Sequence, residues 1–250
     1  MEKEHESAES PGRQMPLLYD IYDKASFEQM REYLRAGARA EELKGLLESI
    51  GIEESYQRCC CGNHAQENLL YALYELVRRA SEGKGFEKIS YWQDAVGKRV
   101  RACYACAETL PAIREAENGR WTIENRLVLC LDENAVVVEG SPNLYLCADE
   151  EAFADMQRQD ISEQLAAYVG QVIEEVRFRH RTVSGDDKQH VQGNIFLVFA
   201  SGAALRISTD FGETPGKACI YFEMLPELPD DGWDSDREDM DDSEDGDMLF

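Results

Sequence analysis

Two short clusters carry the residue types that bind zinc. Cys59-Cys60-Cys61-Gly62-Asn63-His64 contains Cys61-x-x-His64, and Cys103-Tyr104-Ala105-Cys106 is a CxxC. Thiolate and imidazole are common zinc ligands. Two close-spaced pairs separated by a long insert are compatible with a tetrahedral site of Cys61, His64, Cys103 and Cys106. Against this stands the strand-like character of the chain around Cys103, because a strand sends residues three apart to opposite faces. Apolar filler is therefore the preferred reading of Cys103, and equally of Cys130, Cys147 and Cys219, since unpaired cysteine is among the most buried residue types. Zinc remains the one cofactor that the residues admit, in a thiol- or zinc-dependent regulator held as the alternative function.

Other chemistry has fewer carriers. His180 and His190 flank Ser184-Gly185-Asp186-Asp187, a set that can be drawn as an acid/base site, but histidine and aspartate in a glycine-containing polar stretch read first as turn residues. Ser81-Glu82-Gly83-Lys84-Gly85 lacks the length and the Ser/Thr of a phosphate-binding loop. A nucleophile elbow and an HExxH helix are both missing from the sequence. No catalytic residue is assigned, and a non-enzymatic protein is expected, with an enzyme of unrecognised chemistry third.

The formal charge of −24 over 250 residues is the most extreme feature of the composition. Residues 226–250 hold 12 Asp or Glu against Arg237, a net of −11, which leaves −13 for the rest. Such a chain repels a phosphate backbone, so direct nucleic-acid binding is not expected. A protein partner with a basic surface is. The start, Met1 to Ser7, has no apolar core of a signal peptide, and no apolar run approaches the ~20 residues of a membrane span. A cytoplasmic protein with reduced cysteines is the resulting expectation. Within the acidic stretch, Trp233 and the terminal Met248, Leu249 and Phe250 are out of place in a purely solvating segment, and they are the candidates for docking into a partner.

The elements that must position these residues fall into two regimes. Ser26 with Gln29 has the form of a capping box, followed by Phe27, Met30, Tyr33 and Leu34 on one helical face. A second helix is predicted over Leu43–Ile50 and a third over Gln66–Ser81, with Leu69, Leu70, Leu73, Leu76 and Val77 inward. After Gly85 the pattern turns to strands. Ile195-Phe196-Leu197-Val198-Phe199, a Ser201-Gly202 turn and Ala204-Leu205-Arg206-Ile207 read as a buried hairpin, and Leu127–Leu131 with Ala135–Val138 reads as another. Asn134 and Gly202 take equivalent places in the two turns. Upstream, Val96-Gly97 aligns with Val169-Gly170 and Val100 with Ile173; downstream, Tyr145 aligns with Tyr221. Short helices are predicted before each glycine, over Phe86–Ala95 and Ser162–Tyr168. An internal duplication, with two small units packed as a pseudo-symmetric pair, is the expectation.

The predicted class is α+β: residues 1–14 without order, a helical part over 15–85, one small β-rich α/β unit over 86–150, a second over 151–225, and an acidic, disordered tail over 226–250. In general form the chain resembles small bacterial immunity or antitoxin-type proteins that neutralise a toxin by covering its active site. Gly170-x-x-Ile173-x-x-Val176 and Leu197-x-Phe199-x-x-Gly202-x-x-Leu205-x-Ile207 carry the resemblance, which covers residues 86–225. It implies a class of function and no particular residues. The charge fits that class, since an acidic inhibitor is steered to a basic partner.

Overall fold

The computed structural model describes residues 24–37, 39–42, 44–45, 64–115, 120–139, 143–185, 188–210 and 219–229. Within them lie two helices, α1 (Lys24–Arg35) and α2 (His64–Ser81), and eleven strands. The strands are β1 (Ala102–Ala107), β2 (Ile113–Glu115), β3 (Trp121–Ile123), β4 (Arg126–Cys130), β5 (Ala135–Glu139) and β6 (Asn143–Cys147), then β7 (Gln157–Asp160), β8 (Ile173–Gly185), β9 (Lys188–Phe199), β10 (Ala204–Asp210) and β11 (Cys219–Leu225). The first sheet has the order β6-β5-β4-β1-β7 and the second β2-β3-β11-β10-β9-β8, with every strand pair antiparallel. The class is α+β, as predicted.

Three layers follow from the side-chain pattern. Along β1 the residues Cys103, Ala105 and Ala107 enter a core shared between the sheets, together with Leu127, Leu129, Val136, Val138, Leu144 and Leu146. The second sheet closes that core with Ile173, Val176, Ile195, Leu197, Phe199, Leu205, Ile207, Ile220 and Phe222. The alternate residues of the first sheet, Cys106, Val128, Cys130, Val137, Tyr145 and Cys147, meet α1 and α2 through Phe27, Met30, Leu69, Leu73, Leu76 and Val77. The first sheet is therefore buried on both faces. Its inner strands β4, β5 and β6 read as nearly unbroken apolar runs such as Leu127-Val128-Leu129-Cys130, whereas β8 to β11 of the second sheet alternate apolar and polar side chains. Apolar burial on this scale is the main drive for the layers to associate.

Where the two sheets meet, the backbone contacts come in matched pairs. Gly97 N donates to Ile173 O (2.8 Å) and Gly170 N to Val100 O (2.8 Å). Val100 N donates to Gln171 O (2.9 Å) and Ile173 N to Lys98 O (2.9 Å), and Arg99 bridges Val172 between them. Residues 97–100 and 170–173 thus pair with each other antiparallel and reciprocally. Both glycines need the left-handed region, with φ +85° at Gly97 and +89° at Gly170, a conformation that costs any side chain but glycine's. On each side of this crossing the chain runs a four-strand antiparallel ladder, β1-β4-β5-β6 in one sheet and β8-β9-β10-β11 in the other.

Several expectations are corrected. β2 and β3, from residues 86–150, join the second sheet beside β11, β7 joins the first beside β1, and one core spans both sheets. The predicted helix over Phe86–Ala95 is reduced to a 3-10 turn at Trp92–Ala95, and Ser162–Tyr168 is a series of hydrogen-bonded turns. Each segment is too short to offset the cost of helix nucleation. Ser184 and Gly185, read as turn residues, are paired with Gln189 and Lys188 at the end of the long β8–β9 hairpin, and Asp186 and Asp187 lie outside the described residues. Gly202 has φ +85°, but Asn134 is not among the described residues with positive φ; the first turn closes with Leu131 N donating to Asn134 O, one residue shorter than the Phe199-to-Ala203 closure. Of the predicted helix Leu43–Ile50 only Lys44 and Gly45 are described, both helical, and the expectations for residues 1–14 and 230–250 lie outside the described residues.

No atom stands within 4 Å of a Cβ built on Gly97 or Gly170, so an alanine there meets backbone strain without a clash. Gly97→Ala and Gly170→Ala are each expected to lower unfolding free energy by about 1 kcal/mol, and by similar amounts, in urea titrations.

Candidate functional site

Charged and polar side chains gather at two places, one on each side of the sandwich. The first lies between α2 and the first sheet. Arg126 and Glu139 are direct cross-strand partners on the helix-facing side of β4 and β5, and they form an ion pair. The Tyr71 hydroxyl donates to Glu139 Oε2 (2.8 Å), that of Tyr145 approaches Oε1 (3.5 Å), and Arg126 Nη1 donates to Ala152 O (3.0 Å). Burial, reinforced by the Glu139 carboxylate, pushes both tyrosine hydroxyls up, so they stay protonated as donors. One turn along the helix from Tyr71, buried Glu75 accepts from Arg79 Nε (2.7 Å) and Arg78 Nη2 (2.7 Å), while Arg79 Nη1 meets Glu151 (2.9 Å). Asn68 Oδ1 takes the Leu144 N–H (2.8 Å), satisfying a donor on the edge strand β6. These charges neutralise one another, as charges inside a fold must. They fix where α2 sits.

The second place is the outer face of the second sheet, opposite the helices. Register aligns Arg177, Phe196, Arg206 and Glu223 across β8, β9, β10 and β11, and Arg179, Asn194, Ser208 and Tyr221 in the next row. Arg120, just before β3, reaches Glu223 at 3.8 Å, and Glu223 also pairs with Arg206 at 2.5 Å. Arg177 grips Glu175 with two hydrogen bonds of 2.8 and 2.6 Å. Phe196 is fully buried although it points away from the core, because its cross-strand neighbours Arg177 and Arg206 flank it and the Arg179 guanidinium lies 5.6 Å from its ring centroid. Arg179, 1% exposed, donates from Nη1 to Pro229 O (2.8 Å). The last described residues therefore reach this face. Three arginines thus gather around one aromatic on this face, in a chain of charge −24.

The residues singled out from sequence are dispersed. Cys103 faces the core between the sheets and Cys106 faces the helices, so the CxxC is split across β1 by the two-residue period and does not offer two ligands to one ion. His64 opens α2, and Cys61 lies outside the described residues, as do Trp233, Met248, Leu249 and Phe250. Among the described residues no three His, Cys, Asp or Glu side chains are grouped to hold a metal. The register sets His180 opposite Gly193 and His190 opposite Val183, so the two histidines are not cross-strand neighbours. The arginine face was missed, although Val176-Arg177-Phe178-Arg179 and Leu205-Arg206-Ile207-Ser208 show its period; attention to the apolar members alone hides the charged ones. No described helix is long and apolar enough to cross a membrane. No family model matches the chain, and neither curated proteins nor solved structures show a match to it.

Burial pushes the described thiols up, to about 12 for Cys103 and Cys147 and about 11 for Cys106 and Cys130, from an ordinary 9.0. Below about pH 9 these thiols are protonated whether the chain is folded or not, so their contribution to stability is whole there. Above it the unfolded chain sheds protons that the folded one keeps, and stability falls until the folded values are passed. We expect unfolding free energies from urea titrations to drop between pH 9 and about 11, by about 1.4 kcal/mol per pH unit for each thiol responding. Mass-spectrometric mapping of thiol labelling should find these four cysteines protected until the chain unfolds.

Proposed function

We propose that this chain is a non-enzymatic, acidic interaction protein that neutralises a basic protein partner, in the manner of an immunity-type inhibitor. What supports the reading is the way charge is distributed. The described carboxylates inside the fold, Glu75 and Glu139, are committed to Arg78, Arg79, Arg126 and two tyrosines. The acid excess is carried outside. Asp132 and Glu133 in the β4–β5 turn and Glu150 just after β6 are exposed at the same end of the first sheet, where Cys130, Ala135 and Cys147 pair in a row. Asp155, Asp160 and Glu163 are exposed further along the chain. Residues 226–250 add their own −11. A field of this sign raises the encounter rate with a basic protein and disfavours acidic competitors.

We also infer that the two ladders arose by duplication. Support comes from the matched contacts of residues 97–100 and 170–173 and the shared strand order. A constant spacing of 73 residues relates every member of those contacts. The insertions β2–β3 and β7 then lie where each ladder borrows the other's edge.

Tagged full-length protein, used to retain partners at about 0.05 M salt and washed at about 0.5 M, tests the proposed function. A retained protein with a basic surface, released by salt, is the expected result. Retention of acidic or neutral proteins alone, or retention insensitive to salt, would overturn it.

A further inference from the structure

The two edges of the first sheet are finished differently. At β6, Ser90 and Leu146 exchange backbone hydrogen bonds of 3.0 and 2.8 Å, and Asn68 takes the Leu144 N–H. At the opposite edge β7 pairs with β1 on one side, and among the described residues no strand pairs with it on the other. We propose that this edge pairs antiparallel with β7 of a second copy of the chain, Arg158 of each copy facing Asp160 of the other.

The backbone sets which groups are on offer. Ile161 N donates to Cys103 O (2.9 Å) and Cys103 N to Ser162 Oγ (3.0 Å), so this end of β1 and the residues after β7 turn their polar groups toward each other. Antiparallel ladders alternate, so Gln157 and Gln159 also turn theirs toward β1, while Arg158 and Asp160 turn N–H and C=O outward. A two-fold axis through Gln159, perpendicular to the sheet, sets residue 158 opposite residue 160 of the copy, and 160 opposite 158. The outward-facing residues thus meet one another, and each pair can exchange hydrogen bonds in both directions. The axis also keeps the faces in order. Register sets Tyr104 opposite Asp160 and Cys106 opposite Arg158, so both charged residues stand on the helix-facing side in each copy.

The side chains agree with that register. A short, charged edge strand ordinarily guards against pairing. Charges of one sign would repel a copy, whereas Arg158 and Asp160 are of opposite sign, two residues apart and exposed. The axis therefore sets unlike charges across the junction twice, the favourable cross-strand arrangement. Both groups are already held in place. The Arg158 guanidinium rests 4.8 Å from the Phe153 ring centroid and 5.6 Å from that of Tyr104, and Asp160 Oδ1 accepts the Ser162 N–H (2.8 Å). Little side-chain freedom is left to lose on association. Against pairing stands the charge of −24 on each copy, but at about 0.15 M salt repulsion is screened beyond ~8 Å. Association is therefore expected to strengthen between low and physiological salt. Such an isologous dimer goes beyond the neutralising reading and does not rest on it, because it is measured on the free chain.

Sedimentation velocity on the full-length protein at about 0.15 M salt, at concentrations up to about 0.2 mM, reads the association. Arg158→Asp and Asp160→Arg each set like charges across the junction and are expected to weaken the dimer several-fold. The double exchange R158D/D160R restores unlike charges and recovers it. Arg158→Pro removes an outward N–H that the β1 ladder does not use, so the chain folds, as far-UV circular dichroism would verify, and the dimer is lost. Arg158→Pro and Arg158→Asp decide the matter if replacing Asp160 unfolds the chain. A monomer at every concentration, which would leave β7 to a strand of some other protein, overturns the proposal. So does a dimer indifferent to Arg158→Pro, or one weakened by the single exchanges and not recovered in a folded double exchange. The pull-down result stands apart, since a basic partner can be retained by a monomer or a dimer alike.

Discussion

The antiparallel crossing of residues 97–100 with residues 170–173 is the constraint on which the rest of the structure depends. Each segment leads directly into the first strand of a ladder, β1 or β8, so the reciprocal hydrogen bonds between Gly97 and Ile173 and between Gly170 and Val100 fix how one sheet lies on the other. The positive φ at both glycines lets the chain turn sharply out of the preceding 3-10 or turn segment and still present its N–H to the partner. Once the crossing is set, Val100 and Ile173 enter the common core, and the alternation of every following strand decides which residues join them.

From that arrangement the two sheets acquire different duties. The first becomes a central layer with apolar residues on both faces, and the few charges at its helical surface are consumed in the Arg126–Glu139–Tyr71 and Glu75–Arg78–Arg79 groups. The second keeps one face away from the core and fills it with arginines held in cross-strand rows. The described carboxylates inside the fold are paired, and Asp132, Glu133, Glu150, Asp155, Asp160 and Glu163 lie exposed.

Those parts of the fold held by simple periodicity are legible in the sequence. Leu127-Val128-Leu129 with Ala135–Val138, and Ile195–Phe199 with Ala204–Ile207, pair as the hairpins they were read to be. So does the alignment of Gly97 with Gly170, whose backbones adopt the same conformation. The short edge strands β2, β3 and β7 left no trace, because three or four residues such as Gln157-Arg158-Gln159-Asp160 carry no apolar pattern and gain their pairing from a neighbour distant in sequence. The polar ends of β8 and β9 carry the same weak signal: Arg179–Gly185 has Val183 as its one apolar side chain and ends in Ser184-Gly185, and its extended state follows from the ladder with Lys188–Asn194. For the site, the two-residue period at Cys103 and Cys106 correctly set them on opposite faces. The arginine rows could not be assembled without register, since Arg177, Phe196 and Arg206 come together only when three strands are aligned.

Native-state amide hydrogen exchange at Gly97, Val100, Gly170 and Ile173 tests the account most directly. If the crossing unites both sheets around one core, all four amides exchange only through global unfolding, with one shared free energy and the same denaturant dependence. Exchange of the Gly97 and Val100 amides at a free energy well below that of Gly170 and Ile173, or of all four through a local opening that leaves β4 and β9 protected, would contradict it.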